Sequence, residues 1–322
     1  MRMADSLEAR TRQVWNEVQG TFDVGGFTVD DHGSNSRVLL AGEPNSLVPQ
    51  YAIKIPQDDT PSAGSQLVEE ARILARLSEA SLSLNTPRVH AISTDPSYLV
   101  MDFLLGEKIN REEIRDFSPQ EKQALGVTLG KFTVEVADTL PLDAYHEEAV
   151  YGQPSFFEVR ARDLARSRAA LHEKGFPALA EMTARLNRQW HTHHRRGDFQ
   201  PSIVGHYDLG PWNYRFARKS GSWRAVTAFD FASTQPTTPE QELRFVSLLG
   251  KDTIQAAVQS YEQETGRLLD LDLFAFWSLS QLAFIGVTYV IQKNKPVGTP
   301  IVDGFRHFAP EIDWAELDTS RD

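Results

Sequence analysis

Three residues on one short segment have the types and spacing of a phosphoryl-transfer centre. The run V-G-H-Y-D-L-G-P-W-N-Y-R-F places His206, Asp208 and Asn213 in the pattern H-x-D-x-x-x-x-N. Moving a phosphoryl group onto a hydroxyl needs a carboxylate that orients the hydroxyl and accepts its proton. It also needs a nearby amide oxygen that helps hold a divalent metal. Asp208 and Asn213 supply that pair. His206 is expected to be a structural hydrogen-bonding residue packed beside Asp230, because Asp208 already serves as the proton acceptor.

The residues around this run extend the pattern. Tyr214 to Phe216 and Ala225 to Phe229 flank a turn containing Lys219, Ser220 and Gly221, which predicts a β-hairpin. Pairing centred near Gly221 would set Asn213 opposite Asp230 and give a hard cation such as magnesium two oxygen ligands. The plainer alternative is a surface hairpin with an Asn at one end and an Asp cap at the other. Far upstream, Tyr51 to Ile55 reads as a strand with Tyr51, Ile53 and Ile55 on one face and Ala52 and Lys54 on the other. A lysine on such a strand needs an anion, and a helix glutamate can steady it. Glu70 fits that role, since it lies between Leu67 and Leu74 on the apolar stripe of a predicted helix; Glu69 is turned about 100° away and should be solvated. The turn from Asp31 to Ser36, with Gly33 and Ser34 inside it, could bring backbone N–H groups over phosphates; an ordinary hairpin turn satisfies the same residues.

Two kinds of element must position these groups. Gly26 to Asp31, Ser36 to Ala41, Gln50 to Ile55 and Ser97 to Phe103 predict a small, mostly antiparallel sheet, joined by one helix from Gln66 to Ser78. From Ser118 the period turns helical: Ser118 is an N-cap and Pro119 a first helical residue. Helices over roughly 155–173 and 177–194, a β-rich island from Ile203 to Phe231 and a helical C-terminal region follow. The division is expected near Leu104 to Gly106, giving a nucleotide-binding part over 1–104 and a catalytic, acceptor-binding part over 105–322.

Composition narrows the classes. A formal charge of −11 repels nucleic acid and anionic membrane surfaces; it could attract a cationic partner or merely keep the chain soluble. Without cysteine there is no thiolate nucleophile or Cys-based zinc site. The N-terminal residues lack the apolar core of a secretory signal, so a cytoplasmic location is expected. Leu273 to Ile291 is long and apolar but interrupted by Ser278, Ser280, Gln281 and Thr288, as befits a buried core helix rather than a membrane span. His191, His193 and His194 suggest a solvated, dipole-favoured helix end rather than a metal tract. His146 does not begin an H-E-x-x-H motif, and no G-x-S-x-G elbow occurs.

Lys54, Glu70, the run HYDLGPWN and the following Asp230 resemble the aminoglycoside phosphotransferase and choline-kinase-like family in order and spacing, over about Phe22 to Phe274. The resemblance implies an α+β, bilobal protein-kinase-like fold, with a small antiparallel-sheet N-lobe and a larger, mostly helical C-lobe. It makes Asp208 the catalytic carboxylate, Asn213 and Asp230 the magnesium ligands, Lys54 the contact to ATP phosphates and Glu70 its partner. Met101 would sit at the back of the nucleotide pocket, with backbone groups of Asp102 and Leu104 bonding adenine. Two positions depart from the family pattern: Tyr207 stands where glycine is common, and the usual G-D-P-x-x-D appears as T-T-P-E-Q-E, ending in Glu242. The implied acceptor is a hydroxyl of a small molecule. It could be a cationic antibiotic such as an aminoglycoside, with Asp303, Glu311 or Asp313 lining the cleft. It could equally be a sugar, amino alcohol or amino acid, and a nucleotide-binding chain without turnover is a third reading.

Overall fold

A computed structural model describes residues 2–30, 36–58, 60–144, 156–293 and 297–317. The chain does not divide at a single cut. Met1–Gly106 packs together with Thr227–Thr234, and Glu107–Val226 together with Gln235–Asp322. The short excursion carries Asp230 into the first unit.

The first unit opens with helix α1 (Arg2–Thr21) and runs on through β1 (Gly26–Asp30), β2 (Ser36–Gly42), β3 (Tyr51–Pro56), α2 (Pro61–Leu77), β4 (Val89–Thr94) and β5 (Ser97–Asp102). The strands form one antiparallel sheet in the order β1-β2-β3-β5-β4. Val14 and Val18, four apart on α1, bury one helical stripe against Leu39, Ala41, Ile53, Ile55 and Val100 of the sheet. Helix α2 starts earlier than its apolar period suggests, because the Thr60 side chain caps the Ala63 N–H and Pro61 takes the first turn. Its stripe of Leu67, Ala71, Leu74 and Leu77 is buried as expected. Strand β4 has no counterpart among the predicted runs. Its inward positions are only Val89, Ala91 and Ser93, too weakly apolar to show an alternation.

The second unit contains α3 (Arg111–Arg115), α4 (Pro119–Thr139), α5 (Phe156–Glu173), α6 (Pro177–Arg196), β6 (Ile203–Gly205), β7 (Tyr214–Lys219), β8 (Ser222–Ala228, whose last two residues belong to the first unit), β9 (Gln235–Thr237), α7 (Pro239–Glu242), α8 (Lys251–Thr265), α9 (Leu271–Val287) and α10 (Thr299–Phe308). Ser118 and Glu121 close a capping box at the start of α4. Gly126 and Gly130, four apart on α4, let it approach α8: a Cβ at either would stand 2.3 Å from the carbonyl oxygen of Thr253 or Ala257. Helix α9 is apolar on all sides and buries Phe274, Phe276, Trp277, Leu279, Leu282 and Ala283. With its π-helical continuation, Thr288–Gln292, it is the one helix among the described residues long and apolar enough to cross a bilayer. Since 72% of its apolar window is buried within the protein, it is a core helix. The predicted hairpin is present as β7 and β8, turning through Ser220 and Gly221, both with positive φ.

Candidate active site

In the first unit, the pairing of β3 with β5 sets Ala52 beside Met101 and Lys54 beside Leu99. Lys54 is buried, and its ammonium lies 3.1 and 2.9 Å from the two carboxylate oxygens of Glu70, which is 1% exposed. A third contact, 2.6 Å to Asp230 Oδ1, completes the cluster. Burial alone would pull the Lys54 pKa down, but the carboxylates of Glu70 and Asp230 outweigh it and hold the value above the usual lysine range. The lysine therefore stays cationic and aimed. Glu69 is exposed and pairs with Arg72 at 2.9 and 2.6 Å, as its place off the stripe requires.

Asp230 follows β8 in the left-handed conformation, φ 64°, which Asp tolerates better than most residues. Its side chain is 47% exposed, so one face of the carboxylate is open to a ligand. Met101 is buried, opposite Ala52 on the face of the sheet that carries Lys54. The Asp102 N–H donates to the Arg88 carbonyl at 2.9 Å, and its carboxylate meets His90 Nε2 at 2.6 Å. Only the Asp102 carbonyl is then left for a nucleobase. Leu104 stands beyond the strand end with no backbone hydrogen bond among the described residues. Gly33 and Ser34 lie outside the described residues, as do His146, Glu147 and Glu148.

In the second unit, the segment after β6 folds back on itself. The Gly210 N–H donates to the Asp208 carbonyl at 2.7 Å, and the Asn213 N–H to the Gly210 carbonyl at 2.9 Å. The Asn213 amide nitrogen donates to the Asp208 carbonyl at 2.8 Å and to its Oδ2 at 3.0 Å, while the Trp212 indole N–H reaches the same Oδ2 at 3.3 Å. These bonds orient the carboxylate. With its nitrogen so occupied, Asn213 is left its Oδ1 as the atom for a cation. His206 is fully buried, and its Nδ1 accepts the Asp208 N–H at 3.3 Å, which makes it a loop-holding residue.

Both departures from the family pattern meet at Tyr207. Its φ of 66° lies in the left-handed region that favours glycine. Four interactions hold it there: its N–H donates to Glu242 Oε2 at 2.7 Å, its carbonyl accepts from Arg244, its hydroxyl accepts from Gln241 at 3.0 Å, and the Arg244 guanidinium lies 4.6 Å over its ring. Glu242 is buried and pushed above the ordinary carboxylate range by desolvation, against the pull of His206 and Arg244. A Cβ on Gly205 would fall 2.4 Å from Glu242 Oε2, so the glycine makes room for the longer acid. Sequence reading noted Glu242 only as a departure and missed Gln241 and Arg244 altogether.

One further expectation is corrected. The His191–His194 helix end is not wholly solvated: His193 is buried against Phe276 and bonds Asp198 at 2.9 Å, because α6 stops at Gly197 and turns back beside Phe199. The carboxylates expected in an acceptor cleft each have a partner. Asp303 pairs with Arg306 at 3.5 Å, Glu311 pairs with Arg185, and Asp313 caps the Ala315 N–H at 3.0 Å.

The sequence matches the profile described as "Phosphotransferase enzyme family" over residues 27–277. Comparison with curated proteins gave no match. Among solved structures, the fold resembles wild-type aminoglycoside 2'-phosphotransferase-IIIa in its GDP complex, with a TM-score of 0.65 and 14% identity over 94% of this chain and 98% of that one. It resembles the streptomycin-ATP-APH(2")-IIa ternary complex at 0.58 and 15%, covering 92% and 95%. It also resembles apo macrolide 2'-phosphotransferase MphH from Brachybacterium faecium at 0.57 and 14%, covering 94% and 98%. At such identities the likeness establishes the fold, an α+β arrangement of the protein-kinase-like class.

Proposed function

Because the chain belongs to the phosphotransferase enzyme family, we propose that it transfers the γ-phosphate of ATP, with magnesium, to a hydroxyl of a small molecule in the cytoplasm. The observation that carries the reading is the buried Lys54, kept charged by Glu70 and Asp230 on the strand that faces Met101. A cation fixed in a low-dielectric setting serves phosphate, whose charge it complements without reorganising. The neighbours' complexes with GDP and with ATP support the same assignment.

The roles proposed for the remaining residues are those the family resemblance implies. The Asp102 carbonyl and Leu104 N–H hydrogen-bond adenine, Met101 closes the back of the site, and backbone groups at Gly33 and Ser34 cover the phosphates. Asp208 orients the acceptor hydroxyl and takes its proton as the oxygen attacks the γ-phosphorus and ADP leaves. Asn213 Oδ1 and an Asp230 oxygen are the donors we assign to magnesium, which when bound neutralises charge on the phosphates.

The neighbours' printed substrates, streptomycin and macrolides, make hydroxylated antibiotics the first acceptors to test; sugars, amino alcohols and amino acids form the second group. The test is a screen of both groups for ATP consumption, with products weighed by mass spectrometry. A product heavier by one phosphoryl group supports transfer. ATP binding with no product from any compound would leave a nucleotide-binding protein without turnover.

A further inference from the structure

A cavity of about 400 Å³ lies within the second unit. It is bounded by Pro211 and Trp212 of the Asp208 loop, by the last turns of α9 with its π-helical continuation, and by residues 108–112 leading into α3. We propose that this cavity receives the acceptor and that the acceptor joins a flat, apolar body to an anionic group such as a carboxylate. The proposal rests on the phosphotransferase reading above and names the substrate class for that same centre.

Trp212 ties the cavity to the chemistry. Its ring forms part of the wall, and its indole N–H donates to Asp208 Oδ2 at 3.3 Å, so the wall stands one hydrogen bond from that carboxylate. Most of the remaining wall is apolar: Ile109, Phe284, Ile285 and the face of Tyr289. Such a lining holds a ring by burial and leaves orientation to a few polar groups.

Three of those polar groups are cations, in a chain whose formal charge is −11. Lys108, Arg111 and Lys293 line the cavity against one carboxylate, Glu112. Glu112 is already bonded to Arg111 Nε at 2.9 Å. Arg111 also donates to the Tyr289 hydroxyl at 3.2 Å, with its guanidinium 5.3 Å from that ring, and the Lys293 ammonium stands 5.1 Å from the same ring. Two like charges gathered at one aromatic repel each other, and an anion placed with them removes that repulsion and forms charge-assisted hydrogen bonds. Lys108 has no ion-pair partner among the described residues. A polyamine acceptor meets the opposite situation, with no unpaired carboxylate on the wall to receive it.

The test uses three probes that share a ring and a primary hydroxyl and differ only in the para group: para-(hydroxymethyl)benzoate, its primary amide, and para-(hydroxymethyl)benzylamine. Binding to the full chain is measured by calorimetry with magnesium and a non-hydrolysable ATP analogue, and phosphorylation by mass spectrometry with ATP; kanamycin is run alongside. The benzoate should bind about tenfold more tightly than the benzylamine, the size expected of a single charge-assisted hydrogen bond. The double variant Lys108→Glu/Lys293→Glu should erase or invert that order with an unchanged thermal midpoint. Preference for the benzylamine or for kanamycin, a preference for benzoate that survives the double variant, or no binding of any probe by protein that binds nucleotide would each overturn the acceptor assignment alone. Failure to bind the ATP analogue would overturn the phosphotransferase reading, and the acceptor assignment with it.

Discussion

Replacing Glu70 by Gln should weaken magnesium-ATP binding far more than replacing Glu69 by Gln, although the two are neighbours on one helix. Both Glu70 oxygens lie within 3.1 Å of the Lys54 ammonium, and the side chain is excluded from water. Breaking a buried pair outright costs about 3–5 kcal/mol. Here Asp230 remains 2.6 Å from the ammonium and is half-exposed, so Lys54 keeps a partner and drifts toward it. We therefore expect about 1–3 kcal/mol, or roughly 5- to 150-fold in affinity for an ATP analogue. Glu69 and Arg72 form an exposed pair three residues apart, and Glu69→Gln should cost less than about 0.5 kcal/mol, under threefold. Calorimetric titration gives the affinities, and thermal denaturation separates loss of the site from loss of the fold. The pH dependence adds a check. The folded pKa of Lys54 is raised above the ordinary 10.5, so its contribution is full below that value and is lost only as pH climbs through the raised one. The gap between the two variants should thus stay constant across neutral pH. Equal losses for both variants, or a Glu70→Gln affinity within twofold of wild type, would show that Lys54 is not held for phosphate by Glu70.

Asp208→Asn should lower phosphorylation by about 10²- to 10⁴-fold, the usual worth of a general base, while the ATP-analogue affinity measured by calorimetry changes little. Turnover within tenfold of wild type would remove Asp208 from the reaction. Asp230→Asn keeps a residue that tolerates φ 64° but weakens the oxygen donor, so the gain in nucleotide affinity on adding magnesium should shrink at least about tenfold; an unchanged gain would clear Asp230 of that role. Glu242→Gln should destabilise the fold by about 1–3 kcal/mol by disturbing the carboxylate that holds the Tyr207 N–H. Burial raises the folded pKa of Glu242 above 4.5, so the unfolded chain releases this proton first and the group's contribution falls as pH rises from about 4.5 through the raised value. Urea denaturation at several pH values should show the wild-type advantage over the variant largest in acid; a gap that widens as pH rises would contradict the assignment.

What could be read from the sequence depended on how far apart the cooperating residues lie. The phase of α2 separates Glu70 from Glu69 within a few residues, and the hairpin after Asn213 declares itself through Ser220 and Gly221. The Tyr207 arrangement does not, because its partners Gln241, Glu242 and Arg244 come 34 to 37 residues later and act through a backbone angle that no residue type announces. A tyrosine in place of glycine and a glutamate in place of aspartate look like two unrelated departures in the sequence. In three dimensions the longer acid reaches the positive-φ backbone of Tyr207 past Gly205, so one contact joins the two positions.

Charge is legible in the sequence only as a total. A net charge of −11 is a sum over the whole chain and carries no information about position, so it favoured a cationic acceptor drawn to the carboxylates beyond α9. Two of those carboxylates are matched locally, Asp303 by the arginine three residues on and Glu311 by Arg185. The cations that line the cavity come from segments far apart in the chain, residues 108–111 and Lys293, and Arg111 and Lys293 meet at Tyr289. Salt screens the interaction between exposed charges over about 10 Å at 0.1 M. The local excess of two positive charges at the cavity wall therefore bears on the acceptor more than the opposite sign of the whole molecule does.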